Sequence, residues 1–129
     1  MGEGEHPGAL AKGPEGLRFQ AEVAQNVRIR GVQVSAFARK VFDRFGEEIG
    51  EIDFETQRAI VEVTTSEKEK MTQAIDLATD RRLNPGGKSV IVYAPRYSPN
   101  AQPALAPQRI RVARTMDELL TMLCCHHTQ

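Results

Sequence analysis

Glu48-Ile49-Gly50-Glu51-Ile52-Asp53, the polar turn Glu55-Thr56-Gln57-Arg58, and Ala59-Ile60-Val61-Glu62-Val63-Thr64 form the stretch on which the reading of this chain turns. In the first arm Ile49, Glu51 and Asp53 alternate with Gly50, Ile52 and Phe54, and the second arm is rich in β-branched residues. Two such arms joined by a short polar turn predict an antiparallel hairpin. Asp53 and Glu62 lie on opposite arms, and residues of matching parity on paired strands project on one face, so their carboxylates can converge. Glu62 interrupts a run that otherwise reads as an interior strand, where an uncompensated charge costs several kcal/mol. Two carboxylates side by side in a half-buried place call for a divalent cation. Oxygen ligands suit Mg²⁺ or Mn²⁺, with Zn²⁺ a third candidate. The plainer alternative puts both acids on the solvent face of an amphipathic hairpin.

Working outward, Leu17, Ala21, Ala24 and Val27 recur at helical spacing ahead of Gly31, predicting a helix over 16–29. The Gly- and Pro-rich residues 1–15 read as a flexible leader. Between Gly31 and the hairpin, Val32, Val34, Phe37, Val41, Phe42 and Phe45 favour extended backbone. After it, Ser66 and Glu69 form a capping box that opens a helix over 66–83, with Met71, Ala74, Ile75 and Ala78 on its buried stripe and Asn84-Pro85-Gly86-Gly87 at its end. Ser89 to Tyr93 is a short apolar run of the kind found in a central strand. Pro95, Pro99, Pro103 and Pro107 mark a loop of about 14 residues, longer than most structureless connections. Ile110 to Ala113 reads as a last strand. Thr115 then caps a helix carrying Met116, Leu119, Leu120 and Leu123 on its inner side. The order α-β-β-β-α-β-β-α predicts an α/β (α+β) fold, a mixed β-sheet flanked by helices, over residues 16–125, with 126–129 a frayed tail.

A chain of 129 residues supports one core. Lys plus Arg and Asp plus Glu number seventeen each, so bulk charge points to no partner. The distribution is more informative: Arg28, Arg30, Arg39, Lys40 and Arg44 precede the acidic set Glu47, Glu48, Glu51, Asp53 and Glu55. Basic residues around an acidic pocket can hold phosphates without reading sequence. No apolar run approaches the roughly 18 residues of a membrane span, and the leader lacks the basic and apolar regions of a signal peptide, so the chain reads as soluble. Cys124 and Cys125 are adjacent and near the end, so they cannot staple distant parts of the core. Gly86-Gly87-Lys88-Ser89 ends a helix and opens a strand, the reverse of a phosphate loop.

The acidic pair in this setting resembles the Asp, then Glu-x-Lys, signature of the PD-(D/E)xK restriction-endonuclease-like superfamily. The likeness extends through Lys70-Met71-Thr72-Gln73, Lys88-Ser89-Val90-Ile91-Val92-Tyr93-Ala94-Pro95, Ile110-Arg111-Val112 and Asp117-Glu118-Leu119. That order is similar to the nuclease toxin domains at the C-termini of contact-dependent-inhibition and Rhs-type bacterial proteins. The resemblance implies a metal-dependent endonuclease acting on DNA or tRNA. It would be secreted as part of a larger exported carrier protein, act in the cytoplasm of a target cell, and be neutralised by a cognate immunity protein. Asp53 and Glu62 would be metal ligands, joined by the Val63 carbonyl and by Glu22 on the first helix. Gln73 would touch the edge of the site.

One residue departs from the signature: Thr64 stands where the family has its Lys. A threonine hydroxyl cannot by itself do that lysine's electrostatic work. Three explanations follow: the lysine has migrated, to Lys70 first or Lys68 second; the chemistry runs on metal alone; or the domain is an inactive module that binds nucleic acid or protein. A small regulatory domain of the anti-sigma-antagonist kind fits the last strand and helix but leaves Glu62 unexplained.

Overall fold

The computed structural model describes residues 13–65, 71–96 and 110–124. Its elements run α1 (Pro14–Ile29), β1 (Ala36–Phe42), β2 (Glu48–Glu55), β3 (Ala59–Val63), α2 (Met71–Thr79), β4 (Ser89–Tyr93), β5 (Ile110–Ala113) and α3 (Met116–Leu123). The five strands form one sheet in the order β1-β2-β3-β4-β5. β1, β2 and β3 are antiparallel neighbours, whereas β3, β4 and β5 run parallel. The result is the expected mixed sheet flanked by helices, of the α+β class. The parallel step from β3 to β4 needs a crossover, and α2 lies between them in sequence. Among the described residues no helix is long and apolar enough to cross a membrane.

Two apolar layers lie against the sheet. α2 brings Ala74 and Leu77 onto Ile52, Ile60, Val90, Val92, Ile110 and Val112. On the other side α1 and α3 bring Val23, Ala24, Val27 and Leu119 onto Phe54, Val61, Val63, Ile91 and Tyr93. Strand alternation explains the division, since β4 sends Val90 and Val92 one way and Ile91 and Tyr93 the other. All but the first residue of β4 is buried, as a central strand requires. Thr115 caps α3 by accepting from the Glu118 amide at 3.1 Å, and Glu118 reaches back to the Arg114 amide at 2.8 Å.

Three sequence expectations change. α1 begins two residues earlier, with Pro14 at its first turn, a position whose missing N–H costs nothing. Its buried stripe is Gln20, Val23, Ala24 and Val27, while Leu17 and Ala21 face outward. The expected helix over 66–83 is described only as Met71–Thr79; 81–83 form a turn, and the Ser66–Glu69 capping box lies outside the described residues. The Pro-rich stretch from Tyr97 to Pro107 lies outside them too.

Gly50 shows how closely β2 is packed. A Cβ there would come within 2.9 Å of Leu83 Cδ2, and Leu83 is buried in the α2-side core. Gly50→Val should therefore lower the unfolding free energy by about 1–3 kcal/mol, the usual range for overpacking. Urea denaturation measures it, and a loss below about 0.5 kcal/mol would show that Leu83 gives way freely.

Candidate functional site

The hairpin opens where its two acids sit. β2 and β3 pair at Glu55↔Ile60 and Phe54↔Val61, so one further step brings Asp53 opposite Glu62. There the ladder is replaced by bonds to side chains. The Val63 amide donates to Asp53 Oδ2 at 2.7 Å, and the Asp53 amide donates to Glu62 Oε2 at 3.2 Å. β3 meanwhile stays in register with β4 from Ala59↔Ser89 to Val63↔Tyr93. The carboxylates thus fill a fork between two strand pairs, at 3% and 2% exposure, which removes the reading of a solvated hairpin face. Charge-assisted bonds from backbone amides are among the stronger hydrogen bonds, and they fix where each carboxylate lies.

A rotation of the strand aims Asp53 into that fork. Ile52 and Phe54 share parity, yet Ile52 packs on the α2 side and Phe54 on the α1/α3 side. The same break occurs on β1, between the pairs Phe37↔Phe54 and Arg39↔Ile52. The residue between them, opposite Asp53, is Ala38, whose φ of 53° makes it the one described non-glycine residue in the left-handed region. Such backbone is strained for an alanine and persists only where its surroundings enforce it.

Gln20 approaches the fork from α1. Its Nε2 donates to the Asp53 carbonyl at 3.2 Å, and its side chain is fully buried. Its Oε1 is also buried and has no hydrogen-bond partner. Glu22, which the resemblance assigned to this helix's ligand position, is exposed, because the α1 stripe is turned relative to the expected one. The signal was present in the sequence: Gln20 stands at i, i+3, i+4 and i+7 with Val23, Ala24 and Val27.

Thr64, following β3, is buried, and its amide donates to the Tyr93 carbonyl at 3.0 Å. Gln73 is exposed on α2. Lys70 and Lys68 lie outside the described residues. Tyr93 is buried and stacks on Phe19, with centroids 6.2 Å apart; burial also raises its pKa.

The basic group divides. Arg28 and Arg30 are exposed at the end of α1. Lys40 is exposed on β1, 3.9 Å from Glu48, and Arg44 lies over the Phe45 ring, 5.1 Å from its centroid. Arg39, expected to bind phosphate, is engaged by an acid of the protein itself while remaining exposed. Its Nε and Nη2 bond Glu55 Oε2 at 2.8 and 2.7 Å, while Lys88 Nζ bonds Glu55 Oε1 at 3.0 Å and the Thr56 carbonyl at 2.8 Å. Glu55, expected in a polar turn, is the buried last residue of β2, and this triad ties β1, β2 and the entry to β4 together. The hairpin turn proper is closed by Thr56 and Ala59, whose amide bonds run both ways.

Among the described residues no three His, Cys, Asp or Glu side chains converge as a metal site. No family model, curated protein or solved structure matches the chain.

Burial pushes the Glu55 carboxyl upward, but the hydrogen bonds and charges of Lys88 and Arg39 outweigh it and hold the pKa below its ordinary 4.5. Its contribution to stability is complete above the unfolded-state value and is lost as pH falls through the depressed folded one. Urea midpoints taken from about pH 6 down to about pH 3 should therefore fall less steeply below pH 4.5 in Glu55→Gln than in the wild type. Parallel acid limbs would show that the triad contributes no proton-linked stability.

Proposed function

We propose that this chain is a metal-dependent nuclease domain of the restriction-endonuclease-like kind, hydrolysing phosphodiester bonds in DNA or tRNA. The observation that carries the reading is the carboxylate pair in the strand fork. Asp53 and Glu62 stand together out of solvent, each positioned by a strand amide. The hairpin, α2 crossover and parallel β4 follow the order that the sequence resemblance implies.

Two carboxylates, with the Val63 carbonyl as a further donor, make an all-oxygen set that fits Mg²⁺ or Mn²⁺ better than Zn²⁺. Asp53 and Glu62 would hold the ion. Such a cation supplies polarisation of a phosphoryl oxygen and acidification of an attacking water. The chain's share of the work is electrostatic and positional. The amides of Asp53 and Val63 keep the two carboxylates from swinging away, and burial at the fork strengthens every charge interaction made there. The Lys70 ammonium would stabilise charge developing on the phosphate in place of the residue that Thr64 displaces. Gln73, exposed on α2, is available to a bound strand, and Arg28 and Arg30 offer phosphate contacts that position without reading bases. The biological setting goes with the resemblance: a toxin tip on a larger exported carrier, acting in a target cell and held by an immunity protein.

A second reading, an inactive module of the same fold that binds nucleic acid or protein, is favoured by one observation. Thr64, at the signature's lysine position, is buried.

Incubating the chain with plasmid DNA and with total tRNA, in Mg²⁺, Mn²⁺, Zn²⁺ or chelator, separates the two. Metal-dependent cleavage that drops by at least about a hundredfold in Asp53→Ala and Glu62→Ala is the expected result, on the scale of removing one group that stabilises transition-state charge. Intact substrate under every condition assigns the inactive module. Lys70→Ala should lose a comparable factor, and unchanged cleavage there would leave Lys70 without a catalytic role.

A further inference from the structure

We infer that Gln20 is a ligand of the proposed cation, its Oε1 serving as a neutral side-chain oxygen beside Asp53, Glu62 and the Val63 carbonyl; this rests on the metal-site reading above. Gln20 lies on the apolar stripe of α1 with Val23, Ala24 and Val27, and it is fully buried. An amide in such a place is costly unless both ends are satisfied. Only one is. The Nε2 end is fixed by the Asp53 carbonyl, and the opposite flip would set two oxygens against each other. That leaves Oε1 as a buried acceptor without a partner, a debt of about 1–3 kcal/mol in the absence of a ligand.

The backbone of residue 53 links this amide to the carboxylates. Its carbonyl holds Gln20, its N–H is held by Glu62, and its own side chain is the other acid. Gln20 is thus fastened to the same residue that carries and orients the acidic pair. Among the described residues no third His, Cys, Asp or Glu joins them, so a further protein ligand drawn from these residues is a neutral oxygen. Two carboxylates and one amide oxygen neutralise a divalent ion without excess negative charge and leave positions for water and phosphate, the arrangement a Mg²⁺ or Mn²⁺ site uses.

The test is direct cation binding by the full chain, independent of turnover. Mn²⁺ is titrated calorimetrically into the wild type, Gln20→Met and Gln20→Glu, and the midpoint of thermal unfolding is followed with and without Mn²⁺. The wild type should bind. Gln20→Met, of similar volume and without the oxygen, should bind about ten- to a hundredfold more weakly and show a correspondingly smaller upward shift in midpoint. Gln20→Glu should bind about tenfold or more tightly, because it adds ligand charge, while being less stable than the wild type without metal. Equal Mn²⁺ affinity in wild type and Gln20→Met overturns the assignment while leaving the carboxylate site intact, and means that buried water satisfies Oε1. A wild type that binds no Mn²⁺ overturns the metal site and this ligand together. If Gln20→Met does not fold, Gln20→Glu decides: tighter binding supports the ligand, and unchanged affinity removes it.

Discussion

Two hydrogen bonds from strand amides to carboxylates, Val63 to Asp53 and Asp53 to Glu62, bridge the centre of the sheet where β3 parts from β2. β3 belongs to two neighbours with different demands. It runs in register with β4 over its whole length and with β2 for only two pairs. Where it leaves β2, amides lose their ladder partners, and an unpaired buried amide costs about 1–3 kcal/mol. The acids meet that need. They therefore belong to the sheet's hydrogen bonding as much as to any chemistry, and the fork cannot be emptied of charge without leaving backbone groups unpartnered.

Three acids of one hairpin show how differently a carboxylate can be accommodated. Glu55 is claimed by two cations, one arriving from β1 and one from the segment before β4, which lower its pKa against the pull of burial. The triad is partly exposed through its two cations, and its role is to join β1, β2 and the entry to β4. Asp53 and Glu62 each accept a hydrogen bond from a strand amide, which orients the carboxylate. The second pair is the candidate for binding a cation because two carboxylates meet there out of solvent. The basic cluster so visible in the sequence is also divided: the Arg39 guanidinium is committed to Glu55, whereas Arg28 and Arg30 stand exposed at the end of α1.

The fold class was legible because period and punctuation agree. The β-branched runs, the turn after Glu55, the Thr115 cap and the apolar Ser89–Tyr93 segment each point to the element found. The acidic pair was legible because a glutamate inside Ile60-Val61-Glu62-Val63 violates the pattern of an interior strand. Gln20 was missed because one helical stripe, through Leu17, Ala21 and Ala24, competed with another differing by a small rotation, and a glutamine scores as polar on either. The Glu55 triad was illegible for a different reason. Arg39, Glu55 and Lys88 are separated by 16 and 33 positions, and no local rule pairs them before the strand order is known.

Ala38 sets the ease of its own backbone against the placement of an acid on the neighbouring strand. Its left-handed backbone sits on β1 opposite Asp53, at the step where Ile52 and Phe54 of β2 pack on opposite faces of the sheet. A residue at ease in ordinary extended geometry would favour an untwisted β1, with Ile52 and Phe54 returned to one face and the carboxylate carried off its bearing. The energy stored at this edge-strand alanine thus works like a torsion spring whose far end is the acidic pair. Selection for a more regular sheet at residue 38 would act against the site while leaving the Asp53 and Glu62 side chains unchanged.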